Sequence, residues 1–147
     1  MRLRPHHLLD IITQYGSGAP FGPSPYGHAV HTVAEAVLAD PSSTIELVVD
    51  ADDICAPCKH LVDGRCDDVL GQLDPPSSKQ DYNDDLDRRV LAHLGIARGA
   101  VMTFGRYVQA VADRLEGIEQ VCAHPGEDPA RRLADLTAGL HRLQGRP

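Results

Sequence analysis

Three of the four cysteines fall within DDICAPCKHLVDGRC, residues 52–66, and the fourth, Cys122, lies far downstream. Cys55 and Cys58 form a Cys-x-x-Cys turn, which aims two sulfurs at one centre, and Cys66 follows after a gap of seven residues. Pro57 stiffens the turn by fixing φ and removing one N–H. The remaining N–H groups can face anionic sulfur, as thiolates and cluster sulfides require. Lys59, His60 and Arg65 are near enough in sequence to be expected to depress the thiol pKa values. Four sulfurs match the ligand count of a tetrahedral zinc ion or of a four-iron cluster.

Spacing alone leaves zinc and iron–sulfur both open. Zinc ribbons and knuckles combine two short spacings. Here Cys122 has no cysteine neighbour, so His60 or His124 would complete a Cys₃His zinc site. A redox dithiol is the chemical rival, but its setting is the βα junction of a thioredoxin-like sheet, and the flanks here read as loop. Unrelated cysteines, with Cys122 a buried thiol at a helix end, are the plain alternative.

Arg4, His6 and His7 open a helix, where free N–H groups and the dipole favour anions. All three are candidates to bind a substrate carboxylate or phosphate, with capping and covering the helix start as the alternative. Adjacent histidines point about 100° apart on a helix, so one of the two is expected to face a given site. His6, His7 and Asp10 are also the candidates for catalysis, or to finish a metal site if Cys122 does not. His28, His31 and Glu35 have one-face helical spacing but read as a solvated face. Asp84, Asp85, Asp87, Arg88 and Arg89 read as a salt-bridged helix surface. The sequence contains no Gly-rich phosphate loop, GxSxG elbow or HExxH.

These residues need elements to position them. Pro5 suits a first helical turn, and Leu8, Leu9 and Ile12 give that helix an apolar face up to Gly16. GSGAPFGPSP (16–25) reads as a loop long enough to be a lid. A second helix is expected from about Pro25 to Asp40-Pro41, burying Ala29, Val30, Val33, Ala34, Val37 and Leu38. TIELVV (44–49) is the one clear strand, running into the cysteine loop, and it must pair with a short segment not identifiable from sequence. DYNDDLDRRVLAHLG (81–95) reads as a helix stopped by Gly95. Thr103 caps another that buries Phe104, Val108, Val111 and Leu115, and Asp128-Pro129 opens the last. The expected fold is mainly α: about five helices with one short β element leading into a cysteine-rich metal-binding loop. One domain, 1–147, is expected, with the cysteine loop at 50–68, a flexible linker at 74–78 and a C-terminal helix at 129–143.

The 147 residues suffice to bury a core without external staples. A net charge of −7 argues against nucleic acid, which needs a basic footprint. No run is apolar enough to span a bilayer, and Asp10 interrupts the only short apolar stretch near the start, so no signal peptide is expected. The expected location is the cytoplasm, where structural disulfides are rare.

The chain resembles the small bacterial and archaeal proteins grouped as domain of unknown function 1284. LRPHHLLD (3–10), DDICAPCKHLVDGRC (52–66), LDRRVLAHLGI (86–96) and MTFGRYVQAV (102–111) carry the resemblance, and DDICxxC followed by DGxC is its distinctive part. The resemblance implies an iron–sulfur cofactor, though not a particular reaction. Relatives commonly have a cysteine at the position of Asp10 and a cysteine-rich C-terminal segment, where this chain has only Cys122.

The expectation is therefore a 4Fe–4S cluster, with zinc as the alternative, ligated by Cys55, Cys58, Cys66 and Cys122. Four sulfur ligands imply electron transfer with a redox partner. Three would leave one iron to act on a small-molecule substrate. Neither nucleic acid nor membrane is expected as a partner. The alternative function is a structural zinc-binding helical interaction module.

Overall fold

A computed structural model describes residues 1–145. Its first strand, β1 (Arg2–Leu3), runs into α1 (Pro5–Ser17), with Pro5 at the first helical position. Gly18, at φ 79°, closes α1 in the left-handed region. The helix thus runs past Gly16, the stop expected from sequence. Gly16 serves contact instead: a Cβ there would lie 1.8 Å from the Asp135 carbonyl oxygen.

α2 (Val30–Ala39) starts about five residues later than its apolar pattern suggested, because residues 19–29 stay irregular. The strand expected at 44–49 is β2 (Thr44–Leu47). Its unidentified partners are β1, parallel, and β7 (Val101–Thr103), antiparallel, in a sheet ordered β1-β2-β7.

Next come two small hairpins. β3 (Leu61–Val62) pairs with β4 (Arg65–Cys66), and β5 (Val69–Leu70) pairs with β6 (Ser77–Ser78). The segment read as a flexible linker is therefore structured. Ser77 and Ser78 form a strand, and Ser78 Oγ accepts the Asp81 N–H that caps α3 (Lys79–Leu94). α4 (Phe104–Asp113) follows with Thr103 as its cap, then the single turn α5 (Ile118–Val121), then α6 (Pro129–Leu143), capped by Asp128.

Among the described residues there are six helices and seven short strands, so the domain is mixed α/β, not helical with one β element. The missed strands are two or three residues long, too short to leave a period in the sequence. The core joins Leu8, Leu9, Ile11 and Ile12 of α1 to Leu86 and Val90 of α3, Phe104, Tyr107 and Val111 of α4, and Leu136 and Leu140 of α6. α1 and α6 meet through Gly139, where a Cβ would lie 2.1 Å from the Ile12 carbonyl oxygen. This close approach anchors the helix that carries His6 and His7.

Candidate metal centre

β1 brings the start of α1 and the cysteine loop together. Beyond β2, Val48 donates its N–H to the Leu3 carbonyl at 3.0 Å, and Asp53 donates to the Arg2 carbonyl at 3.0 Å. The chain thereby wraps the end of β1 and delivers the buried Asp52 beneath the first turn of α1. Asp52 Oδ2 accepts the Arg4 backbone N–H at 2.7 Å and lies 2.8 Å from His7 Nδ1. Its Oδ1 accepts the Cys55 N–H at 3.0 Å. One carboxylate ties the helix start, a histidine and the first cysteine.

A second carboxylate comes from α3. Asp87, fully buried, accepts the His6 N–H at 2.9 Å, lies 2.8 Å from His6 Nδ1, and receives the Arg4 guanidinium at 2.7 Å. Asp84 takes the other guanidinium nitrogen at 2.8 Å. The acidic run expected on a solvated surface is thus split. Asp84 and Asp87 turn inward, and Asp85 with Arg89, 3.0 Å apart, keeps the surface pairing. The helix start expected to hold a substrate anion is already filled by the chain's own carboxylates.

The Cys-x-x-Cys turn closes through a Cys58 N–H to Cys55 carbonyl bond of 2.9 Å. Asp63 and Gly64, both at positive φ, make the tight turn from β3 to β4. That hairpin sets Cys66 opposite Leu61. Gln80 of α3 fixes Cys66 by accepting its N–H at 2.9 Å, and its own amide donates to Asp84 at 3.1 Å. From the other side, Ala29 donates to the Ile54 carbonyl at 2.9 Å and Lys59 to the Tyr26 carbonyl at 2.8 Å. His28 is held between these contacts. It precedes α2, so the helical face expected from His28, His31 and Glu35 does not form.

These elements enclose a cavity of about 390 Å³ whose walls include Cys55, Cys58, Cys66, His6, His7 and His28. The three cysteines are half-buried free thiols. His28 Nδ1 is buried without a hydrogen-bond partner among the described residues. His6 and His7 each commit Nδ1 to a carboxylate, which leaves Nε2 free to coordinate, the arrangement typical of metal-ligating histidines.

Cys122 lies elsewhere. It closes α5 and packs in the hydrophobic core at 1% exposure, outside the walls of this cavity. The expected four-cysteine set is therefore divided, three and one. Among the described residues, the single group of three or more potential ligand atoms within 4.8 Å of one another is His7, Asp52 and Cys55. The sulfurs of Cys55, Cys58 and Cys66 share a cavity without meeting that spacing.

Burial disfavours charge throughout this region, and the neighbouring charges oppose or reinforce it residue by residue. Burial works against the His7 imidazolium, but Asp52, with Asp10 and Asp87, outweighs it and raises the pKa. His6 goes the other way, because burial and the neighbouring His7 outweigh Asp87. Burial would raise Asp52, yet His7 and the N–H groups of Arg4 and Cys55 hold it far below the ordinary carboxylate range.

Cys55 corrects the expectation of a depressed thiol. Burial, then Asp52, pushes its pKa up to about 12. The three cations invoked for that role are engaged elsewhere: Lys59 over the Tyr26 ring, His60 with Asp67 at 2.8 Å, and Arg65 with Asp81 at 3.2 Å.

Asp10 faces a second cavity, about 510 Å³, between α1 and α6. The two cavities share Asp10, His124 and Glu127 as wall residues. Asp10 pairs with Arg132, which also reaches Glu127 at 3.3 Å, and lies 3.9 Å from His124. The loop expected as a lid touches this cavity through Ser17, and its Phe21 packs on the core.

Taken together, the fold and cavity define a small mixed α/β protein built around histidine–carboxylate pairs and a cysteine loop. The family model for "Protein of unknown function (DUF1284)" matches residues 24–125, and the chain belongs to that family. The match takes in the cysteine loop, α2 to α5 and Cys122, and leaves LRPHHLLD (3–10) outside. No curated protein and no solved structure matches the chain. Among the described residues, no helix is long and apolar enough to cross a membrane.

Proposed function

We propose that this protein binds an iron–sulfur cluster, a 4Fe–4S cubane, in the cavity walled by Cys55, Cys58 and Cys66, and works in electron transfer or as a cluster-assisted enzyme. The observation that carries the reading is that three free cysteines from one turn and one hairpin face a shared cavity of about 390 Å³. Two features of the donor set support a cluster over a lone tetrahedral ion. The volume has room for a cubane. A zinc ion with Zn–S bonds of about 2.3 Å also draws its sulfurs to about 3.8 Å apart, closer than this trio stands.

The bound cluster would supply one-electron chemistry. The chain's own residues bind it, exclude water and set its potential. Asp50, Asp52, Asp53, Asp63, Asp67 and Asp68 lie in or beside the cysteine loop, and such negative charge lowers the potential. Cys122, in the core, fits this reading as a packing residue.

A second reading, a structural zinc module, is favoured by the spacing of His7, Asp52 and Cys55, which suits a single ion. Purification without oxygen separates the two. Iron with equal acid-labile sulfide and a brown colour supports the cluster, whereas stoichiometric zinc in a colourless solution rejects it.

A further inference from the structure

We infer that the ligand completing the metal centre is the imidazole of His7, held in place by Asp52, and not a fourth cysteine. This rests on the reading that the cavity holds a metal centre, and three observations point to His7 in particular. It lines the same cavity as Cys55, Cys58 and Cys66. One of its ring nitrogens lies within 4.8 Å of the Cys55 sulfur, so the ring stands beside that cysteine. Its Nδ1 is bound to Asp52 at 2.8 Å, which fixes the ring and leaves Nε2 as the nitrogen free to coordinate.

The competing donors are weaker candidates. Cys122 is in the core, and His28, a wall residue with an unpartnered Nδ1, stands outside the close group. Asp10 is paired with Arg132. His6 stands outside the close group, its Nδ1 and backbone N–H both bound to Asp87. Asp52 belongs to the close group, but its oxygens already accept from Arg4, His7 and Cys55. Asp52 is therefore a positioning residue. The same carboxylate fixes His7 and the backbone of Cys55, so it sets two neighbouring ligands at once.

The consequence is functional. With His7 bound, no coordination position is left open, and electron transfer is favoured over catalysis at a free iron. A neutral imidazole in place of a thiolate also raises the potential of the centre, opposing the acidic loop.

The test is pulsed electron paramagnetic resonance on the reduced protein, assembled without oxygen and grown with histidine labelled in the heavy nitrogen isotope. A coupling to a directly bound imidazole nitrogen, altered by the label, is expected in the unmodified protein. It should vanish in His7→Ala, persist in Cys122→Ala, and shift in Asp52→Asn. His7→Cys should keep the cluster, lose the coupling and lower the reduction potential, which answers the case in which His7→Ala does not fold. Iron and sulfide present without a nitrogen coupling, or a coupling that survives in His7→Cys, overturns the inference alone. Absence of both iron and sulfide overturns the cluster reading beneath it.

Discussion

His7 Nδ1 lies 2.8 Å from Asp52 Oδ2, and the other oxygen of the same carboxylate receives the Cys55 N–H at 3.0 Å. The helix start and the cysteine loop thus depend on one buried side chain. Asp52→Ala leaves the buried Arg4 N–H, the half-buried Cys55 N–H and the half-buried His7 without their acceptor, which is expected to cost about 3 kcal/mol. For a chain of this length that is about 10 °C in Tm. Calorimetry of the metal-free protein checks the loss. A drop of under about 1 kcal/mol would mean the loop and helix are held by other contacts.

Gly139 packs against the carbonyl of Ile12, with 2.1 Å available to a Cβ. Gly139→Ala has to push α6 off α1 and is expected to destabilise by about 3 kcal/mol, at the upper end for overpacking. Urea denaturation measures it. Because α1 carries His6 and His7, metal uptake should fall in parallel. A stable variant with unaltered uptake would show that the two helices separate without disturbing the site.

Cys122 offers a sharper contrast with the loop cysteines. Cys122→Ala removes one buried atom from the core and should cost about 1 kcal/mol while leaving metal content intact. Cys58→Ala, from a half-buried position on the cavity wall, should do the reverse, abolishing the metal with a smaller effect on the metal-free fold. Elemental analysis beside thermal melts distinguishes the pair.

Tyr107 donates its hydroxyl to the Pro5 carbonyl at 2.8 Å inside the core. Tyr107→Phe keeps the ring and removes that bond, so about 1 kcal/mol of stability should go. Chemical denaturation would register it, and no change would mean the bond contributes nothing beyond the packing of the ring.

Asp10 sets an acid limit. Burial would raise its pKa, but Arg132, with His6 and His124, holds it below the ordinary 3.8. A carboxyl depressed in the folded state adds stability above its unfolded pKa and loses it as pH falls through the folded value. Stability contributed by Asp10 should therefore be constant above about pH 5 and decline below about pH 4. Asp10→Asn should lose stability near neutrality and show a shallower acid slope in urea melts across that range.

Much of the frame was legible in the sequence because it rests on local rules. Pro5, Thr103 and Asp128 announced three helix starts, Gly95 one stop, and the alternation in TIELVV the central strand. The hairpin that presents Cys66 had a signal too, since Asp63-Gly64 is a two-residue turn between short β-forming pairs. The inward turn of Asp84 and Asp87 also left a trace. Extending the buried Leu91–Leu94 stripe backwards at helical spacing reaches Asp87, Asp84 and Gln80, although charge type had pointed to solvent. By contrast, pairing Asp52 with His7 and Asp87 with His6 needed contacts 45 and 81 residues apart, set by the short strands β1 and β2 and by helix packing. Nothing in the local sequence encodes them. Similarly, the cations near Cys55 were adjacent in sequence but turned to other partners in space.

The central claim is that the cavity beside His7 holds an iron–sulfur cluster through Cys55, Cys58 and Cys66. Native mass spectrometry of protein purified without oxygen tests it most directly. A species heavier than the bare chain by one whole four-iron, four-sulfide cluster, absent from the Cys58→Ala variant, is the expected result. A spectrum showing the bare chain, or the chain with a single zinc ion, would contradict it.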